Sequence, residues 1–243
     1  MINNLNHYEN IFDVRGSCYD DAMRQYPNAR DLEFKQLVDS ANFRNNLVIV
    51  DVPAGGRYLQ NYLPQCCDYR PYEPCASFLG DKVSGNLLPL PFSDNIADIA
   101  FSLAGVHHIE DKLSFFDEVY RVVKQKGQFV LSDVEKDTPT ALFLDEYVGK
   151  HNKTGHDGIY LNENTYHELE QVGWYIETKE LIKYHWCFNN EESMALFCNS
   201  LFDLKSRTLK QTLNAIESYL GIDSLDNGKI GMRWSLRTIC SHK

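Results

Sequence analysis

Seven cysteines occur, at positions 18, 66, 67, 75, 187, 198 and 240, yet no Cys-x-x-Cys pair is among them and their number is odd. That argues against a zinc ribbon or a disulfide frame and for reduced thiols in a cytoplasmic protein. No apolar run approaches the ~20 residues that a membrane-spanning helix needs. The first six residues, Met1 to Asn6, lack the basic and apolar regions of a secretion signal. No membrane partner is therefore expected. Runs of Lys or Arg are missing too: 24 basic side chains face 34 acidic ones, for a net charge of −10. Binding to a nucleic-acid backbone rests on displacing counterions with basic groups, so no nucleic-acid partner is expected. The same charge disfavours an acidic carrier protein as partner. There is no internal repeat, no Gly-x-Ser-x-Gly and no Walker loop.

What is present is a chain of 243 residues, 43% hydrophobic and 24% charged, which is globular composition rather than that of a disordered chain or a rod. The first clear strand is the β-branched run Leu47 to Val52, of the kind buried on both faces of a parallel sheet. Before it, Tyr19 to Tyr26 and Ala29 to Ala41 have helical spacing. After it, Cys66 to Tyr72 and Ile96 to Leu103 read as strands, Leu113 to Lys124 as an amphipathic helix and Gly127 to Val134 as a strand. This alternation predicts right-handed βαβ crossovers and an open, doubly wound α/β sheet. Residues 135–162 are polar and mixed, with 150–158 a loop. A helix at Asn164 to Gln171 is stopped by Gly173, and a strand follows at Tyr175 to Tyr184. Glu191 to Leu220 reads as one further helical stretch, and Met232 to Cys240 as a closing edge strand entered through Asp226-Asn227-Gly228.

In open α/β sheets, ligands bind at the carboxyl ends of the strands where the order reverses. The segment Asp51-Val52-Pro53-Ala54-Gly55-Gly56-Arg57-Tyr58 lies there, before what reads as a helix. Its glycines permit positive φ and a close backbone approach, and a helix N-terminus would offer unpaired N–H groups. A structural turn with two glycines would look the same. Glu73, 22 residues after Asp51, stands at the end of the second strand, where a carboxylate can accept both hydroxyls of a ribose. Further on come Gly85-Asn86-Leu87-Leu88-Pro89-Leu90-Pro91-Phe92, then Leu103-Ala104-Gly105-Val106-His107-His108, then Arg121-Val122-Val123-Lys124-Gln125-Lys126-Gly127.

Over residues 45–134 these four segments, in this order, resemble the class I S-adenosylmethionine-dependent methyltransferases, and in particular the small-molecule branch that includes the ubiquinone and menaquinone methyltransferases. The resemblance implies a Rossmann-like, mostly parallel seven-stranded sheet with an antiparallel closing strand, residues 1–45 as a helical lid and 46–243 as the core. Insertions at about 135–162 and 186–225 would build the acceptor pocket. It implies S-adenosyl-L-methionine as cofactor, with S-adenosyl-L-homocysteine as product. Asp51 would support the glycine loop, which with Pro53 in its turn would bind the cofactor, Ala54, Gly55 and Gly56 passing under the methionine part. Glu73 would hold the ribose, and Asn86 and the Leu87 N–H would hold the adenine. Leu103 would lie where cofactor faces acceptor, and Tyr8, Arg15 and Tyr19 of the lid would close over the sulfonium and the carboxylate. The chain departs from the family at Pro53 and Arg57, which stand in place of glycines.

Methyl transfer is an in-line displacement, and O- or N-methylation also needs a base for the acceptor's proton. His107, His151 and His156 are the candidates; His107 would otherwise be a structural histidine bonded to a backbone carbonyl, and His151 and His156 solvated loop side chains. No His/Asp/Glu cluster has metal-ligand spacing, so no metal is expected. Trp186, Phe188, Phe197 and Phe202 suggest an aromatic or lipophilic small-molecule acceptor. The chain would act as a monomer or homodimer. Two other readings stay open: a non-catalytic binding or scaffold protein on the same fold, and a nicotinamide oxidoreductase, for which Gly-x-Gly-x-x-Gly is wanting.

Overall fold

The computed structural model describes residues 7–79 and 85–243. Seven strands form one sheet: β1 (Val48–Asp51), β2 (Asp68–Pro71), β3 (Ala97–Leu103), β4 (Val123–Asp133), β5 (Tyr175–Phe188), β6 (Ile222–Ser224) and β7 (Ile230–His242). Their order is β2-β1-β3-β4-β7-β5, with β6 paired to β7. β2, β1, β3 and β4 run parallel to their neighbours, while β7 is antiparallel to β4, β5 and β6.

The central strands are apolar on both faces because both are covered. Ile49, Ile99, Phe101 and Val130 face one core, while Val50, Ala100, Phe129 and Leu131 face the other. This period of two distributes one β-branched run between two layers of helices. The nine α-helices among the described residues are α1 (His7–Gln25), α2 (Asp31–Asp39), α3 (Ala76–Leu79), α4 (Lys112–Val122), α5 (Pro139–Leu142), α6 (Gly149–His151), α7 (Glu163–Val172), α8 (Glu191–Leu201) and α9 (Leu209–Tyr219). Apolar side chains of α2, α8 and α9 fill the first core; those of α4 and α7 fill the second. α1 contributes to both, with Ala22 and Met23 in one and Tyr8, Ile11 and Phe12 in the other. It thereby passes over the carboxyl ends of β1 and β3, packed against α3 and α8.

Four elements differ from the sequence reading. β7 is no edge strand: it pairs with β5 along its length and, on its other side, with β6 over Ile230–Met232 and β4 over Arg237–His242. The glycine segment leads into a short 3-10 turn, Tyr58–Tyr62, rather than an α-helix. The stretch 191–220 is broken into α8 and α9, the second starting on a capping box at Thr208 and Gln211. Residues 135–162, read only as polar and mixed, contain α5, a π-helical segment Phe143–Val148 and α6, whose end takes the first two residues of the loop expected at 150–158. Of the 1–45 segment, residues 1–6 lie outside the described residues.

Phe101, fully buried at the centre of β3 and stacked on Phe43 at 6.3 Å, anchors the first core. Phe101→Ala is expected to lower unfolding free energy by about 3–5 kcal/mol, through lost burial and the cavity left behind. Urea denaturation measures it; a loss below about 1 kcal/mol would mean that the core collapses around the gap.

Candidate active site

The segment after β1 forms a cradle because of three local conformations. Ala54 N–H bonds to Tyr72 O at 2.9 Å, Gly55 takes φ +50°, and Arg57 takes the left-handed region at φ 62°. Arg57 thus keeps the backbone of a glycine while its side chain is exposed, at a cost of order 1 kcal/mol. Pro53 is accommodated from across the cradle: a Cβ on Gly105 would lie 2.7 Å from the Pro53 ring, so only glycine fits there. A narrow, partly open cavity lies above, walled by Tyr8, Phe12, Tyr19, Ala54, Leu103 and Gly105.

The polar groups around this cavity are engaged by α1. The Tyr8 hydroxyl donates to Glu73 Oε2 at 2.8 Å, Gly55 N–H to the same oxygen at 2.7 Å, and Cys75 N–H to Oε1 at 2.9 Å. Burial pushes the Glu73 carboxyl up, against these three bonds. The Leu87 N–H donates to the Glu9 carboxylate. Tyr72 donates to Asn86 O at 2.5 Å, leaving the Asn86 side chain exposed. Asp51, at the end of β1, accepts from the Tyr69 hydroxyl at 2.7 Å.

A second cavity adjoins the first, sharing Phe12, Tyr19, Arg30 and Ala104 with it. Ala104 holds φ 49° at the junction, fixed by its N–H bond to Ser132 O at 2.8 Å. Three histidines, 107, 108 and 156, line this cavity opposite Trp186, Phe202 and Trp234. His107 Nδ1 meets Asp133 Oδ1 at 2.5 Å, and the His107 N–H donates to Oδ2 at 3.0 Å. Asp133 is fully buried, yet the imidazole and the amides of His107 and Val134 outweigh burial and hold its carboxyl below the usual range. Burial lowers His156 to about 4, so its ring is neutral at physiological pH, and Asp145 and Tyr160 contact its Nδ1. Burial also lowers Arg15, to about 10, and its Nε and Nη1 find no hydrogen bond among the described residues.

The structure therefore gathers Tyr8, Tyr19, Asp51, Pro53, Ala54, Gly55 and Leu103 around the first cavity, with Glu73 and Leu87 beside them on α1 side chains. Arg15 lies at the second cavity with His107 and His156. His151 faces neither, stacking edge-on against Tyr147. The partner of His107 is a carboxylate, not the backbone carbonyl considered from sequence. Arg30 and Glu33 were missed: their side chains pair in the shared wall, and Trp186 Nε1 donates to Glu33 at 2.5 Å. Three positions apart at a helix start, they read as an ordinary surface pair. Glu9 gave no signal either, since its partner is a backbone amide 78 residues away.

Residues 53–131 match the family model of a methyltransferase domain. No curated protein sequence matches the chain. Among solved structures, a candidate methyltransferase from Bacillus halodurans is 20% identical over 87% of this chain and 99% of its own, with a TM-score of 0.61. The candidate methyltransferase in complex with the Trm112 methyltransferase activator of Haloferax volcanii gives 14% identity over 97% of each chain and a TM-score of 0.64. Phosphoethanolamine N-methyltransferase 2 of Haemonchus contortus, solved with phosphomonomethylethanolamine and S-adenosylhomocysteine, gives 12% identity over 97% of this chain and 60% of its own, at a TM-score of 0.58. Residues 53–131 thus match a methyltransferase domain, and the chain has the Rossmann-like fold of the solved methyltransferases it resembles.

Asp51 supplies a test of the cradle's electrostatics. Burial pushes its carboxyl up to about 7, the Tyr69 bond opposes this, and the nearby Glu73 charge adds to it. A carboxyl whose folded pKa is raised binds more protons folded than unfolded. Its contribution is therefore fully present below about pH 4 and lost as pH rises through about 7. Asp51→Asn should remove that fall, leaving the cofactor-free variant more stable than the parent at pH 8 by up to roughly 4 kcal/mol. Denaturation at pH 5 and pH 8 measures the difference; an equal gap at both would show that Asp51 ionises normally.

Proposed function

We propose that the chain is an S-adenosylmethionine-dependent methyltransferase acting on a small molecule. The carrying observation is the pair of adjoining cavities, one on the glycine segment and one on a buried His–Asp pair, with Ala104 at their junction. The residues fit the cofactor in its methionine half, where the backbone of 53–56 and the faces of Tyr19 and Phe12 line a space for a carboxylate, an amine and a cationic sulfur. In the adenosine half, Glu73 and the Leu87 N–H are the matching groups, and Tyr8 and Glu9 must release them first. Bound there, S-adenosylmethionine supplies an electrophilic methyl group.

The second cavity would hold the acceptor. Trp186, Trp234 and Phe202 present flat apolar surfaces, which favours an aromatic or lipophilic body, and Arg15 supplies a fork for an anionic group. His107, oriented through Nδ1 by Asp133, would present Nε2 as the group that takes the acceptor's proton. Alignment of acceptor and methyl between the two cavities can supply much of the barrier reduction. The phosphoethanolamine enzyme from H. contortus is consistent with a small acceptor on this fold. The scaffold reading draws on one observation: Glu73 and Leu87 are already satisfied from within the chain.

Calorimetry with S-adenosylhomocysteine is expected to show one site, weakened in Glu73→Ala by loss of the ribose bonds. His107→Ala should keep that affinity and lose turnover by about 100-fold or more; full turnover would exclude it as the base. Glu9→Ala should tighten cofactor binding by about tenfold, because a hydrogen bond to a charged group no longer holds α1 in place. Absence of binding in parent and Glu9→Ala alike would favour the scaffold.

A further inference from the structure

Three histidines converge on one wall of the second cavity from separate segments. His107 and His108 sit in the turn after β3 (Val106–His108), and His156 comes from the segment after α6, pinned by the Ile159 N–H bond to His107 O at 2.8 Å. One ring nitrogen from each lies within 4.8 Å of those of the other two, and the ring centroids are 4.0, 5.1 and 5.5 Å apart. We propose that His107, His108 and His156 bind a divalent transition-metal ion of the zinc class, with an open position facing the cavity.

Three features carry this. First, the span is close to what coordination requires. Nitrogens on a tetrahedral ion at about 2.1 Å stand about 3.4 Å apart, so the rings need to close by roughly 1 Å, within the reach of side-chain rotation. Second, the outer contacts are those of metal-bound imidazoles. His107 Nδ1 is held by Asp133 and His156 Nδ1 faces Asp145 at 3.4 Å and the Tyr160 hydroxyl at 3.3 Å, which leaves Nε2 of each as the ligating atom. Carboxylates behind ligating histidines fix ring orientation and raise donor strength. Third, an all-imidazole set selects zinc, copper, nickel or iron over magnesium or calcium, which take oxygen ligands. His107 and His108 are also buried, so little water competes for the ring nitrogens.

The ion and Arg15 would together define the acceptor as a small molecule with an ionisable oxygen or sulfur, its proton made more acidic by the metal and released to solvent, its charge paired with the guanidinium. With the ion bound, His107 Nε2 is a ligand and the metal replaces it as the group that activates the acceptor. This role rests on the methyltransfer reading; metal binding itself does not. The full chain is freed of metal with a chelator and titrated with Co²⁺, then with Zn²⁺ in competition. Expected are one equivalent, the visible absorption of a low-symmetry Co²⁺ site, and displacement by Zn²⁺. His108→Ala and His156→Ala should each weaken Zn²⁺ by about 100-fold or more, Asp133→Asn by about 10–100-fold, and the exposed His167→Ala not at all. Where an alanine variant fails to fold by circular dichroism, Asp133→Asn and Asp145→Asn carry the test. No stoichiometric binding, or binding that none of the folded cluster variants weakens, overturns the proposal. Titration of the same samples with S-adenosylhomocysteine separates the two readings: cofactor binding without metal binding removes only the metal site, and the reverse removes only the methyltransferase.

Discussion

Arg30 and Glu33 sit side by side with almost no access to water, where either charge alone would cost several kcal/mol. Burial by itself would lower the Arg30 pKa, but Glu33 outweighs it and keeps the guanidinium charged. The pair is further supported by its surroundings: Arg30 donates to the Tyr19 hydroxyl, Trp186 donates to Glu33, and Arg30 Cζ lies 5.1 Å from the Trp186 ring centroid, while Arg30 Nε finds no hydrogen bond among the described residues. Cys187 N–H adds a backbone bond to Ala29 O at 2.9 Å. These contacts fasten the α1–α2 junction to the far end of β5, and the wall so made is shared by both cavities. Removal of either charge would strand the other, so this junction holds α1 and the two cavities in one arrangement.

Against that rigid junction, the first turn of α1 is the adjustable part. Tyr8 and Glu9 occupy the Glu73 carboxylate and the Leu87 N–H, so a nucleoside bound as proposed would compete with the chain itself. The binding loop tolerates its odd residues for local reasons. Pro53 fits because Gly105 has no side chain to meet it, and Arg57 turns outward from a backbone conformation normally left to glycine.

Much of this was legible in the sequence. The run Val48 to Asp51, the amphipathic spacing of α4 and the Gly173 stop of α7 report local preferences that the tertiary structure keeps. The carboxylate at Glu73 and the glycine segment were readable because a ligand site at strand ends needs particular residue types at particular offsets. What was hidden depends on topology. The interior place of β7 follows from which strand edges are open after β5 has formed, which no local pattern records. His156 lies 48 residues beyond His108, and only the return of the chain past β4 and α6 brings the rings together. The Arg30–Glu33 pair looked like surface because charge pairs three apart usually are.

The place of β7 has a consequence for synthesis on the ribosome. Among the described residues β5 has no strand partner other than β7, and β4 lacks its second neighbour until residues 237–242 exist. The nascent chain therefore carries two open strand edges while the next 40 or so residues after β5 are made. Open edges invite pairing with other chains. The first half of β5 answers that hazard in its own composition: Glu177, Lys179, Glu180 and Lys183 are exposed charges, spaced so that a neighbouring nascent strand would meet charge wherever it tried to dock.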